Sequence, residues 1–91
     1  MEREIKMSKH IYNLLSFIKI NNSIPLPDDL KTDKATLISI VKRCLSDELL
    51  DKKILYVNIL GEVQCDESPE LAITIKGYSY LEENNPVGKL I

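Results

Sequence analysis

A chain of 91 residues with 44% apolar side chains, 29% charged side chains and net charge −2 has the makings of one modest core, and its composition excludes a disordered polymer. Its longest apolar runs, "LISIV" and "ILYVNIL", fall well short of the ~20 residues of a membrane-spanning helix, and "MEREIKMSKH" lacks the apolar stretch of a secretion leader. The expectation is one cytoplasmic domain over residues 1–91, with its core in 5–85 and a tail at 86–91.

Residues 5–20 predict a helix of about four turns, because Met7, Ile11, Leu14, Leu15 and Ile18 fall on one stripe with Lys9, Asn13, Ser16 and Lys19 opposite. Asn21 and Asn22 tolerate the left-handed conformation that ends helices, and Pro25 and Pro27 forbid continuation. Pro27 followed by Asp28 and Asp29 suits the start of a single helical turn over 27–30. Thr32 then reads as the N-cap of a helix running to about residue 50. Its predicted inner face holds Leu37, Ile38, Val41, Cys44, Leu45 and Leu49, with Ile40 at the edge. Ala35, Thr36, Ser39, Lys42, Arg43 and Ser46 form the outer one.

Alternation and β-branched content predict a strand at 54–59, turn residues Gly61, Ser68 and Pro69 follow, and "LAITI" at 71–75 is expected to return as the second strand. The period changes at Thr74, which is expected to cap a last helix closed by "NNP". Gly77 is expected to allow a close backbone approach.

Little points to chemistry. Cys44 and Cys65 lack CxxC spacing and neighbouring histidines, and His10 stands alone, so neither a metal nor a redox cofactor is expected. Gly61, Gly77 and Gly88 are too scattered for a phosphate-cradling loop. The neighbouring acids Asp28–Asp29, Asp66–Glu67 and Glu82–Glu83 diverge along the chain and do not flank a substrate. Tyr12, Phe17, Tyr56, Tyr78 and Tyr80 are expected to serve packing, since a stacking platform needs a cationic groove as well. The chain is not expected to be an enzyme.

The order helix, short turn, helix, two-stranded hairpin, helix is that of an α+β winged helix-turn-helix domain. The ending "ITIKGYSYLEENN", behind a Thr-capped helix and a hairpin, resembles the YjcQ-like family of small winged-helix proteins from Gram-positive bacteria and their prophages. That resemblance spans about residues 5–85. It implies a DNA-binding or regulatory role, with a recognition helix at 33–50 presenting Thr36, Ser39, Lys42, Arg43 and Ser46 to duplex DNA and a wing at about 59–70.

Charge divides the chain. Residues 1–53 hold ten Lys/Arg against eight Asp/Glu, net +2, while 54–91 hold two against six, net −4. The expected wing carries Glu62, Asp66, Glu67 and Glu70 and no cation, so it is expected to repel phosphate. Lys42 and Arg43 admit two readings: a solvated face spaced for pairing with Asp47, or contacts to phosphates and base edges. A gathering of Lys6, Lys9, Lys34, Lys42 and Arg43 on one face would favour DNA. The expected state is a homodimer joined through the first helix or the tail, where Val87, Leu90 and Ile91 are apolar. The alternative is a winged-helix protein-interaction module without DNA binding.

Overall fold

The computed structural model describes the backbone of residues 2–84 and the side chains of residues 7–84. The predicted first stripe forms helix α1, Glu2–Asn21, with Ile11, Leu14, Leu15 and Ile18 all buried. Complete burial of an aliphatic side chain such as Leu14 contributes about 1.5–3 kcal/mol. Asn22, at φ 50°, turns the chain and donates its N–H to Ile18 O at 2.8 Å. Its side chain then reaches across the molecule, accepting the Glu70 N–H at 2.9 Å.

Pro27–Leu30 forms the expected single turn, of 3₁₀ type. Asp29 Oδ2 accepts the Leu26 N–H at 2.8 Å, and Lys31, at φ 54°, reverses the chain while Leu30 points into the core. Helix α2 follows as Lys34–Ser46. Its cap is Asp33 and not Thr32: Asp33 Oδ1 accepts the Thr36 N–H at 2.7 Å, whereas Thr32 N is taken by Pro27 O at 3.0 Å in the preceding turn.

The end of α2 also differs from expectation, four residues before position 50. Glu48 adopts φ 63°, Leu49 N donates to Cys44 O at 2.8 Å and Glu48 N to Leu45 O at 3.2 Å. This is the paired closure of a Schellman motif, here without glycine. It turns Leu49 and Leu50 into the core after the helix has stopped. The inner face of α2 is correspondingly rotated: Ile40 is fully buried beside Leu37, Val41 and Cys44, while Ile38 and Leu45 are half-buried.

The hairpin consists of β1, Leu55–Val57, and β2, Val63–Cys65, paired antiparallel as Leu55↔Cys65, Tyr56↔Gln64 and Val57↔Val63. Residues 58–62 form its turn, held by Asn58 Oδ1, which accepts the Leu60 and Glu62 N–H groups at 2.9 and 3.0 Å. Gly61 supplies the left-handed position at φ 78°. "LAITI" is therefore not the return strand. Pro69 starts a second 3₁₀ turn, Pro69–Ala72, and Leu71 and Ile75 are 58% and 88% exposed, so the alternation does not correspond to a buried face. Ile73 alone pairs, in an isolated bridge to Leu50.

Helix α3, Ile75–Glu83, is capped by Thr74 as expected. Thr74 Oγ1 accepts the Gly77 N–H at 3.0 Å and donates its own proton to Glu48 O at 2.7 Å, while Thr74 N donates to Leu49 O at 3.2 Å. A Cβ on Gly77 would overlap Leu49 O and lie 2.9 Å from Ile73 Cγ2. The close approach is thus between α3 and the backbone that leaves α2, not between helix and strand. Tyr80 donates its hydroxyl proton to Ser8 O at 3.0 Å, and α1 packs against both α2 and α3 while β1 packs on α2.

Among the described residues the architecture is α+β: three helices around one cluster of buried aliphatic residues, with a two-stranded antiparallel hairpin between the second and third, the layout of a small winged helix. The tail at 86–91, including Val87, Leu90 and Ile91, lies outside the described residues, as does the side chain of Lys6. Among the described residues no helix is long and apolar enough to cross a membrane.

Candidate nucleic-acid interface

With Leu37, Ile40, Val41 and Cys44 turned inward, the helical period leaves Ala35, Ser39, Lys42, Arg43 and Ser46 on the opposite side of α2, all exposed. Thr36, the remaining residue of the expected face, is half-buried at its margin, with its N–H engaged by Asp33. The surface is low, since only Lys42 and Arg43 carry long side chains. A helix presenting short side chains can approach a duplex closely, and the two cations suit phosphate or base-edge contacts.

Arg43 Nε lies 2.9 Å from Asp47 Oδ2, in an i,i+4 pair whose partners are 56% and 41% exposed. Such an exposed pair is worth about 0.3–0.5 kcal/mol, little enough for a phosphate to compete. Lys42 has no ion-pair partner among the described residues. At the opposite end of α2, Asp33 opposes an anion: hydrogen bonding from Thr36, by its side chain and then its backbone N–H, holds the carboxyl below its ordinary value of 3.8. Asp33 is therefore charged at neutral pH. Asp28 and Asp29 add further exposed charge to the turn before it.

Lys9 does not join this surface in any contact. It borders a separate groove with Lys31, between α1 and the first 3₁₀ turn, to which no residue of α2 contributes. Lys52 and Lys53 are exposed in the connection from α2 to β1, where sequence reasoning had assigned no role; Asp51 Oδ1 accepts the Lys53 N–H at 2.9 Å and holds that bend.

The hairpin is shorter than the wing expected at 59–70: of Glu62, Asp66, Glu67 and Glu70, all exposed, only Glu62 stands in its turn, Asp66 and Glu67 follow β2 and Glu70 lies in the second 3₁₀ turn, and there is no cation between residues 54 and 75. Tyr56 donates to Asp66 Oδ1 at 3.2 Å, and that hydrogen bond, then the carboxylate's charge, raises the phenol's pKa. At the tip stand two residues whose exposure sequence reasoning missed, Ile59 at 101% and Leu60 at 76%. Asn58 and Gly61 on either side of them are the signal of a short hairpin turn.

The other candidate groups fall to packing. Tyr12, Tyr78 and Tyr80 are half-buried against the core, with Lys19 Nζ 5.9 Å from the Tyr78 ring centroid. Cys44 is buried, its pKa pushed up to about 12, first by desolvation and then by the charge of Asp47. Cys65 is half-buried, with Sγ 2.9 Å from Glu67 O. His10 Nδ1 is enclosed without a hydrogen-bond partner among the described residues, and no group of three His, Cys, Asp or Glu is placed to hold a metal ion among them. No family model, no characterised protein and no solved structure matches this chain.

Proposed function

We propose that this chain is a small DNA-binding regulator of a bacterial or prophage genome, of the kind its resemblance to the YjcQ-like family implies, acting as a homodimer through the outer face of α2. The observation that carries the reading is that face itself. It follows a tight turn, its Ser39, Lys42, Arg43 and Ser46 are all exposed, and it offers two adjacent cations on an otherwise short-chained surface. In this reading α2 enters the major groove, Lys42 binds phosphate, and Arg43 exchanges Asp47 for phosphate or a guanine edge. One domain with so few cations binds weakly, and a dimer placing two such helices about 34 Å apart multiplies the contact.

The acidic hairpin favours a second reading, a protein-interaction module, because carboxylates beside phosphates oppose DNA. Titration of randomised duplexes by fluorescence anisotropy, at low and at physiological salt, separates the two. Lys42→Ala with Arg43→Ala is expected to weaken binding and flatten its salt dependence by up to about two phosphate contacts. Neutralising Asp66, Glu67 and Glu70 is expected to strengthen binding without regard to sequence. Absence of duplex binding even at low salt would transfer the function to the interaction reading.

A further inference from the structure

The hairpin tip is built as a rigid knob. Asn58 Oδ1 ties down two N–H groups of the turn, Gly61 takes the left-handed position, and Ile59 and Leu60 are held outward at 101% and 76% exposure. Beyond its own two chain neighbours, nothing lies within 4 Å of where a Cβ on Gly61 would stand, so the turn is open there. A connection that merely reversed the chain would favour polar residues at these positions.

The same chain carries a matching socket. On α1 the half-buried Phe17 and the 76% exposed Ile20 stand one helical turn apart, and the small exposed edge of the core residue Leu30 lies beside them. Together they line a groove of about 470 Å³ whose other lining includes Lys9 and Lys31. Asp29 also lines it, but its Oδ2 already accepts the Leu26 N–H at 2.8 Å. The groove is mixed, its three apolar side chains standing among Asn13, Ser16 and Asn21 with two cations against one carboxylate, and the knob is apolar with Glu62 behind it and Asp66 and Glu67 just past β2.

The knob does not occupy its own socket, since both of its side chains are exposed. We propose that it docks in the socket of a second copy: Ile59 and Leu60 against Phe17, Ile20 and Leu30, with Glu62 toward Lys9 and Lys31. Charge selects this occupant. Phosphate surfaces, whether nucleic acid or anionic lipid, are repelled by the hairpin's carboxylates, whereas the cation-bearing groove attracts them. Reciprocal insertion closes a two-fold dimer with two identical contacts, and one-way insertion would leave open chains. Neither surface includes an outward residue of α2, so that face stays available in the dimer.

This inference rests on the dimeric part of the function proposed above, not on its DNA part. Sedimentation velocity up to several hundred micromolar, with duplex titration run alongside, separates the two. Wild-type protein is expected to dimerise. Ile59→Ser with Leu60→Ser (knob variant) and Ile20→Glu (socket variant) change exposed positions, and each is expected to weaken association by at least about tenfold. Mixing the two variants restores one of the two contacts, so a one-to-one heterodimer is expected that is tighter than the self-association of either variant and weaker than the wild-type dimer. A dimer untouched by either variant, loss in only one of them, or no heterodimer on mixing overturns the interface while leaving dimerisation standing. A wild-type monomer overturns dimerisation as well, and its duplex titration then reports on DNA binding by itself.

Discussion

The junction between α2 and α3 and the tip of the hairpin are opposite solutions to turning a chain. At the junction, Leu49 O meets Thr74 N, Glu48 O meets the Thr74 hydroxyl, and Gly77 leaves no space for a methyl group. At the tip, the turn is held by its own Asn58 side chain and nothing surrounds Gly61. The junction joins elements that are distant in sequence, so its residues are determined by the whole fold. The tip is determined by five consecutive residues, which leaves Ile59 and Leu60 open to a role in recognition. In this molecule constraint and availability are spatially separate.

Breaking the junction should therefore have the largest effect. Gly77→Ala sets two terms against each other: alanine gains up to about 1 kcal/mol of helix propensity over glycine, and the new methyl group overlaps a backbone oxygen. The oxygen belongs to a peptide already bonded to Thr74 and cannot swing aside, so overpacking of about 1–3 kcal/mol is expected to win. Gly77→Val should cost more than alanine. A lowered urea midpoint at unchanged slope is the expected result, and a raised midpoint for Gly77→Ala would show that the helices separate freely there.

Thr74→Ala should come next, at about 1–2 kcal/mol, because it removes the cap of α3 and the hydrogen bond that holds Glu48 O at the end of α2. Thr74→Ser keeps the hydroxyl and should recover most of the loss. Equal midpoints for the alanine and serine variants would mean that the β-methyl, not the hydroxyl, supports the junction.

The legible parts of the sequence were those in which a residue acts on its near neighbours. The stripe from Ile11 to Ile18 requires only a helical period, Pro27 to Leu30 only a proline and two acids, and Thr74 only the N–H three residues on. The failures lie where several local signals compete. Asp33 and Thr32 are both good caps, and because the earlier turn extends through Thr32, the helix begins one residue later, with the Asp33 side chain facing the free N–H of Thr36. The end of α2 carries no glycine, so nothing in its sequence marks Glu48 as left-handed; the burial of Leu49 and Leu50 drives that turn. The alternation in "LAITI" gives the pattern of a strand over only five residues, too few to outweigh Pro69 and the burial of Ala72. The outward face of α2 was readable from its period, with Thr36 as the exception. The knob and the groove were not, because Ile59, Leu60 and Ile20 look like core residues until the fold leaves them exposed, with Phe17 half-buried beside Ile20.

The smallest effect is expected at the tip, and its size depends on protein concentration. Side chains as exposed as Ile59 and Leu60 lose little or no apolar contact on replacement, so Ile59→Ser with Leu60→Ser should shift monomer stability by no more than about 0.5 kcal/mol. Asn58 and Gly61, which form the turn, are untouched. If the tip docks on a second copy, wild-type protein gains stability by mass action as concentration rises, and the variant does not. Thermal midpoints for the two should coincide when dilute and diverge when concentrated. A midpoint lowered equally at every concentration would place Ile59 and Leu60 among the residues that hold the hairpin together, and the contrast between junction and tip would fail at the tip.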